Sequence, residues 1–255
     1  MWLHERHKKI IALLNERQRL STEMFAAELR VSRETVRRDL IELEQSGQLS
    51  RVHGGAIPNQ APAEPSYVER SRLFQAEKLA IAKRAVQLVT RGQCCFIDAG
   101  STTHALAHEL AKCEQLQVIT NSVDVAAALS RNASLEVLLL GGRLESDVPA
   151  TYGEQTIAEI KRFQVDLALI SPVAISADGG AMDYAWHEAC VARAMLAQAK
   201  TRVLMADANK LGVQSRVQIC STQAIDVLVT DGRAEPAQLA ELRAGGVGEI
   251  LQAAP

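Results

Sequence analysis

The five cysteines, Cys94, Cys95, Cys113, Cys190 and Cys220, are odd in number and form no CxxC pair. That excludes a disulfide framework and leaves no metal site of zinc spacing. No apolar run approaches the roughly 18 residues of a membrane-spanning helix, and the charged opening "MWLHERHKK" lacks the apolar core of a secretion leader. A reducing cytoplasm without a membrane partner is the expected setting. Neither a dinucleotide GxGxxG nor a Walker loop is present, so nothing supports a nucleotide- or coenzyme A-binding module, and no cofactor is expected. An excess of one charge is missing too. The formal net charge is -2, with ten Lys/Arg against eight Asp/Glu in residues 1–57 and eighteen against twenty-two in the remainder. So mild a bias does not by itself establish nucleic-acid binding.

A chain of 255 residues with 47 % apolar content is comfortable for two domains. Ile10, Ile11, Leu13 and Leu14 mark a first amphipathic helix ending near Arg17, and "LSTEMFAAELR" holds a second, capped by Ser21 with Phe25 and Leu29 turned inward. The third is "VSRETVRRDLIELEQSG", Val31 to Gly47. Ser32 caps it, Val36, Leu40 and Leu43 recur on one face, and Gly47 ends it. At about 100° per residue, Arg38 points away from Val36 while Arg33 and Arg37 share a flank. That outer face alone also fits a solvated surface laced by Glu34/Arg38 and Arg38/Glu42 pairs. Its place as the basic third helix of a helix-turn-helix favours insertion into the major groove. "QLSRVHGGA" then reads as a hairpin wing. The expected DNA contacts are Ser32, Arg33, Glu34, Thr35, Arg37, Arg38, Arg51 and His53.

"PNQAPAEPS", Pro58 to Ser66, holds three of the seven prolines and little that is apolar. The expected division is a DNA-binding domain at 1–57, a linker at 58–75 and an α/β domain at 76–255. In the last, Leu79, Ala82, Val86 and Val89 mark a helix, followed by strands "CCFI", "QVIT", "EVLLL", "DLALI", "RVLMA" and "DVLVT" separated by Ala-rich helices. Near-continuous apolar runs of this kind are expected of parallel strands covered on both faces.

Ligands of an open parallel sheet gather beyond the carboxyl ends of its strands. The residues found there are Asp98, Gly100, Ser101, Thr102 and Thr103; Asn121 and Ser122; Gly141 and Gly142; Ser171; and Asp207 with Lys210. Gly100 allows a tight turn, and Ser101 to Thr103 offer hydroxyls and amides at a helix N-terminus suited to phosphate or carboxylate. Each loop alone also fits an ordinary strand-to-helix turn. Lys210 can add charge to such a site or pair with Asp207. His187 and Glu188 in "YAWHEA" are adjacent, but no further His or Cys stands at ligand spacing, so neither a metal nor a catalytic pair is expected.

These residues carry a resemblance over nearly the whole chain to the DeoR family of bacterial transcriptional regulators. "VSRETVRRDLIELEQSGQLSRVHGGA" is similar to the family's most specific signature, and "IDAGSTT", "VITNS", "LLLGGRL" and "ADANKLG" match its effector domain in order. The resemblance implies a winged helix-turn-helix followed by an α/β domain similar to ribose-5-phosphate isomerase. It also implies a repressor of a sugar or polyol operon, tuned by a phosphorylated sugar or related acidic metabolite; a homo-oligomer is expected because one short reading helix gives limited specificity and dimers read two half-sites. Departures are Arg30 at a turn glycine, Ser171 and Ala174 at frequent glycines, Ala192 at a usual Lys, and Asn209 at a usual Ser. The alternative is a sugar-phosphate isomerase with an appended DNA domain. The missing Lys at Ala192 and the lack of an acid/base pair lean against it.

Overall fold

The computed structural model describes residues 3–17, 19–45, 48–52, 54–58, 65–145 and 147–254. They divide into two compact units, Met1–Glu64 and Pro65–Pro255. In the first, α1 (Leu3–Arg17), α2 (Thr22–Leu29) and α3 (Arg33–Gln45) precede a hairpin of β2 (Leu49–Val52) and β3 (Gly55–Pro58). Ser21 caps α2 by accepting from Met24 N at 3.2 Å, and Ser32 caps α3 by accepting from Thr35 N at 3.1 Å. Ile10, Leu14, Phe25, Leu29, Val36 and Leu40 lie in one buried cluster, so the expected apolar faces of all three helices meet. A strand the sequence reading did not foresee, β1 (Leu20–Ser21), adds to β3. It explains two glycines. Gly54 turns at φ +78°, and a Cβ on Gly55 would lie 2.1 Å from the Leu20 carbonyl oxygen. Gly47 and His53 lie outside the described residues.

The second unit is built on a seven-stranded sheet in which every pairing is parallel. Its strands are β4 (Cys94–Ile97), β5 (Gln117–Thr120), β6 (Glu136–Leu139), β7 (Val165–Ile170), β10 (Ala199–Met205), β12 (Val227–Thr230) and β13 (Glu249–Gln252). The first six fall on the six expected apolar runs; the last was not foreseen. Nor was a small antiparallel sheet of β8 (Ala174–Ser176), β9 (Gly180–Asp183) and β11 (Val217–Cys220). In the order β13-β12-β10-β7-β4-β5-β6, the chain winds one way from β4 and the other way from β7. That makes the β4/β7 boundary the topological switch point, the place beyond the carboxyl ends at which open parallel sheets take their ligands.

Two expectations need correction. Within the segment read as a linker, Ser66 and Glu69 form a capping box for α4 (Tyr67–Arg72), and α5 (Gln75–Ala85) begins soon after. The prolines of that segment all precede this helix, whose Tyr67 is buried and anchors it. On α5 the inward face is Lys78, Ile81, Ala82 and Ala85, whereas Leu79 is 41 % exposed. Of the stripe read from the sequence, Ala82 is buried and Val86 and Val89 pack against the core, while the inward place expected of Leu79 is taken by Lys78.

Candidate nucleic-acid interface and ligand site

On α3, Arg33, Glu34, Arg37 and Arg38 are exposed. Arg33 Nη1 meets Glu23 Oε1 at 3.0 Å, Arg38 Nε meets Glu34 Oε1 at 3.6 Å, and Arg51 Nε donates to Glu44 Oε2 at 2.7 Å. The Arg51 bonds also hold Glu44 below its usual carboxylate range. Exposed pairs of this kind contribute little to stability, so phosphates can replace their acidic partners. Thr22, Arg33, Arg37 and Arg51 line a groove of about 630 Å³ between α3 and the hairpin. The helix thus brings Arg33 and Arg37 together with the wing's Arg51, while Ser32 is engaged in capping, its hydroxyl 2.8 Å from that of Thr35. The sequence reading missed Asp39. It is 2 % exposed and accepts from Arg6 of α1 through Nη2 at 2.7 Å, with His7 Nε2 at 3.3 Å. The available signal was its position, an acid among the inward-facing Val36, Leu40 and Leu43.

At the switch point Asp98 follows β4 and is buried, and the Ser171 amide after β7 donates to both its oxygens, at 3.2 and 3.1 Å. Burial pushes its carboxyl up to about 7; the Ser171 bond and the charge of Lys210 oppose the rise, and Glu188 adds to it. Beside it α6 (Ser101–Leu110) starts at Gly100 without a side-chain cap, leaving its first-turn amides to a ligand or water. Gly100 does not make the expected tight turn: its φ is -178°, and a Cβ there would meet its neighbours at ordinary contact distance. Lys210 Nζ donates to the Pro172 carbonyl at 2.7 Å rather than to Asp207, whose Oδ1 accepts from Asn209 N and Nδ2 at 3.1 and 2.9 Å.

Other expected residues divide. Thr102 and Asn121 are buried, and Thr102 Oγ1 and Asn121 Oδ1 have no hydrogen-bond partner among the described residues. Thr103 donates to the Gly100 carbonyl at 3.1 Å, and Ser122 caps α7 (Val123–Leu129). Gly141 and Gly142 follow the edge strand β6 and serve packing. The Gly141 amide donates to Glu159 Oε2 at 2.8 Å, and a Cβ on Gly142, at φ +152°, would lie 2.2 Å from Thr156 Oγ1.

Three residues that sequence reasoning passed over or left without a role gather near this edge. The Tyr152 hydroxyl is buried without a partner among the described residues, and burial raises its pKa, helped by the charges of Glu188, Asp98 and Asp183. Its ring meets that of His187 edge-on with centroids 4.7 Å apart. His187 Nε2 is 3.9 Å from Glu188 Oε1, too far for a hydrogen bond. Among the described residues no group of three or more His, Cys, Asp or Glu could hold a metal ion. Lys78 is 5 % exposed, and burial and Lys210 lower its pKa to about 8. Buried polar atoms without intramolecular partners are costly unless a ligand or water meets them, so this edge suits a small, hydroxylated anion.

A family model described as the DeoR-like helix-turn-helix domain matches residues 6–61, and one described as the DeoR C terminal sensor domain matches residues 74–232. The chain belongs to the DeoR family. A glycerol-3-phosphate regulon repressor of Haemophilus influenzae is 36 % identical over 88 % of each chain. The HTH-type transcriptional repressor GlcR of Bacillus subtilis is 37 % identical over 91 % of this chain and 89 % of its own. A ribose 5-phosphate isomerase A from Methanocaldococcus jannaschii matches at a TM-score of 0.41 and 17 % identity, over 53 % of this chain and 54 % of its own, too distant to support any argument. The DeoR-type protein is a DNA-binding transcriptional regulator, and its named relatives are repressors rather than enzymes, which removes the isomerase alternative. Among the described residues no helix is long and apolar enough to cross a membrane.

Proposed function

We propose that this DeoR-family protein represses a carbohydrate or polyol operon from the cytoplasm and changes its operator affinity when a phosphorylated sugar, polyol or related acidic metabolite binds the β4/β7 edge. The observation that carries the ligand site is the uncapped N-terminus of α6 beside Asp98, with the charge of Lys210 acting on both Asp98 and Lys78. Helix amides and ammonium groups suit the phosphate, while Asn121 and Tyr152 offer unpaired polar atoms for hydroxyls. The names of the relatives make glycerol 3-phosphate the first compound to try. A thermal-shift screen against glycerol 3-phosphate, hexose phosphates and sugar acids, followed by operator titration with each hit, tests this reading. Absence of any stabilising compound would remove it, since a ligand of the folded state must raise stability by mass action. Lys210→Met should weaken the response of any hit; a mutant responding at the wild-type concentration places the ligand elsewhere.

DNA contact by Arg33, Arg37, Arg38 and Arg51 completes the proposal, with two copies reading two half-sites. Support for self-association comes from the edge strand β6 and the loop after it, where Leu138, Leu139 and Leu144 are 44, 42 and 71 % exposed. Sedimentation of the full chain, with and without Leu139→Glu, decides it. A monomer at micromolar concentration would contradict the proposal.

A further inference from the structure

The Lys78 ammonium donates to the carbonyl of Arg70 in the last turn of α4. Carbonyls at a helix end carry partial negative charge, so Lys78 caps α4. The charges acting on this ammonium are those of Lys210, Asp207, Arg70 and Glu77. Both α4 and α5 pack against α6, whose N-terminus opens on the ligand edge, so Lys78 ties α4 to the helices beside that edge. At its other end α4 is fixed by Tyr67, whose hydroxyl donates to Asp124 Oδ2 at 2.8 Å and whose amide donates to Asp147 Oδ2. Asp124 stands on α7 and Asp147 on the loop before α8 (Glu154–Ile160), two segments joined beside Asn121 by the Ser122–Ala150 bridge and by Asn121 Nδ2 donating to the Thr151 carbonyl.

A second, independent feature marks the same helix. The joint from α4 to α5 passes through Phe74 at φ 54°, ψ 40°, a region that a bulky L residue rarely occupies, with Arg233 stacked on its ring at 5.1 Å. At six residues α4 is too short to be stable by itself, so its position depends on these tertiary bonds. In sequence, α4 is the first helix after β3 of the DNA-binding unit.

We propose that α4 is the effector-sensing strap of this regulator: Lys78 holds the anionic group of the effector and the carboxyl end of α4 together, so that occupancy of the site passes through α4 into the segment leading to the DNA-binding unit. This rests on the sugar-phosphate reading above and names its route of regulation. An anion near Lys78 and Lys210 offsets the repulsion between two ammonium groups and changes how firmly Lys78 holds α4. A ligand moves an equilibrium only through such a difference in its grip on two states.

The test uses the full chain with glycerol 3-phosphate and inorganic phosphate as probes, reading binding by thermal shift and coupling by operator titration. Wild type should show a thermal shift and a change in operator affinity of roughly 5- to 150-fold. Lys78→Met should lose both responses, and Lys78→Arg, which keeps the charge, should recover binding. Tyr67→Phe should keep the thermal shift and lose most of the operator response. A Lys78→Met protein with the wild-type shift overturns the anion contact, and a Tyr67→Phe protein with the full operator response overturns the strap. If Lys78→Met does not fold, Lys78→Arg with no recovered binding also counts against the proposal. Wild type unmoved by any phosphate ester defeats the underlying sugar-phosphate reading as well, a result distinct from either mutant outcome.

Discussion

Arg6 and Asp39 join α1 to α3 through two parallel bonds, Nε to Oδ2 at 2.5 Å and Nη2 to Oδ1 at 2.7 Å, with the carboxylate 2 % exposed. Asp39 therefore faces the core, unlike the exposed Glu34, and it fixes α3 against α1. Removing one partner strands a buried charge, so Arg6→Ala should cost about 3 kcal/mol, somewhat relieved by His7. Arg6→Met with Asp39→Leu should recover much of that loss. Urea unfolding of the single and double mutants measures it, and an Arg6→Ala protein as stable as wild type would show that the pair contributes nothing.

Arg37→Ala and Arg38→Ala should weaken operator binding with the fold intact, because both side chains are exposed. The pair between Arg38 and Glu34, at 3.6 Å, is too loose to need the arginine for stability. A bidentate guanine contact would cost about 1–3 kcal/mol and relax preference at one base pair, whereas a phosphate contact would lower the salt slope by about one for all sequences. Titrations at several salt concentrations on matched and altered operators separate the two. Unchanged affinity in both mutants would mean that this helix does not read DNA.

The parts legible in the sequence were those with one dominant physical signal. Val36, Leu40 and Leu43 repeat at helical spacing, and runs such as "DLALI" lie in strands covered on both faces. What escaped depends on distant partners. β1 has two residues and exists because Gly55 lets Leu20 approach, while β8 has three. In the ligand edge, Asp98 and Lys210 could be placed by counting from strand ends. Lys78 could not, because a lysine beside Glu77 reads as solvated until α4 folds against α5 and offers it the Arg70 carbonyl. Tyr152 escaped for a similar reason: the Arg143–Tyr152 bridge that positions it spans a loop with no periodic pattern.

Arg30 caps α2 in the left-handed region, at φ 53° and ψ 47°, with its amide reaching the carbonyls of Ala26 and Ala27. This is the turn where the family resemblance places a glycine, and here the side chain occupies a strained angle. Arg30→Gly should therefore stabilise the protein by about 0.5–1 kcal/mol, the relief of strain being partly offset by the greater freedom of glycine in the unfolded chain. Chemical denaturation of the two proteins decides this. A mutant less stable than wild type would show that the Arg30 side chain makes a contact worth more than the strain.

Asp98 makes stability depend on pH in the direction opposite to an ordinary ion-paired carboxylate. Its folded pKa of about 7 lies well above the ordinary carboxylate value of 3.8, chiefly through burial. The folded state therefore holds the proton more tightly than the unfolded state between those values. By linkage, the favourable contribution is complete below about pH 4 and is lost as pH rises to about 7. Asp98→Asn removes the charge and keeps an oxygen to accept from the Ser171 amide. It should leave stability near wild type at about pH 4, where the folded carboxyl is protonated and the unfolded one has only begun to ionise, and raise it at pH 8 by on the order of 1–3 kcal/mol. Lys210 limits the gain, since it favours the charged carboxylate that the mutant lacks. The measurement is thermal or urea unfolding of both proteins from about pH 4 to pH 8. Parallel stability curves would show that Asp98 titrates like an exposed carboxylate, and that the positive charges at this edge hold it ionised before any ligand anion arrives.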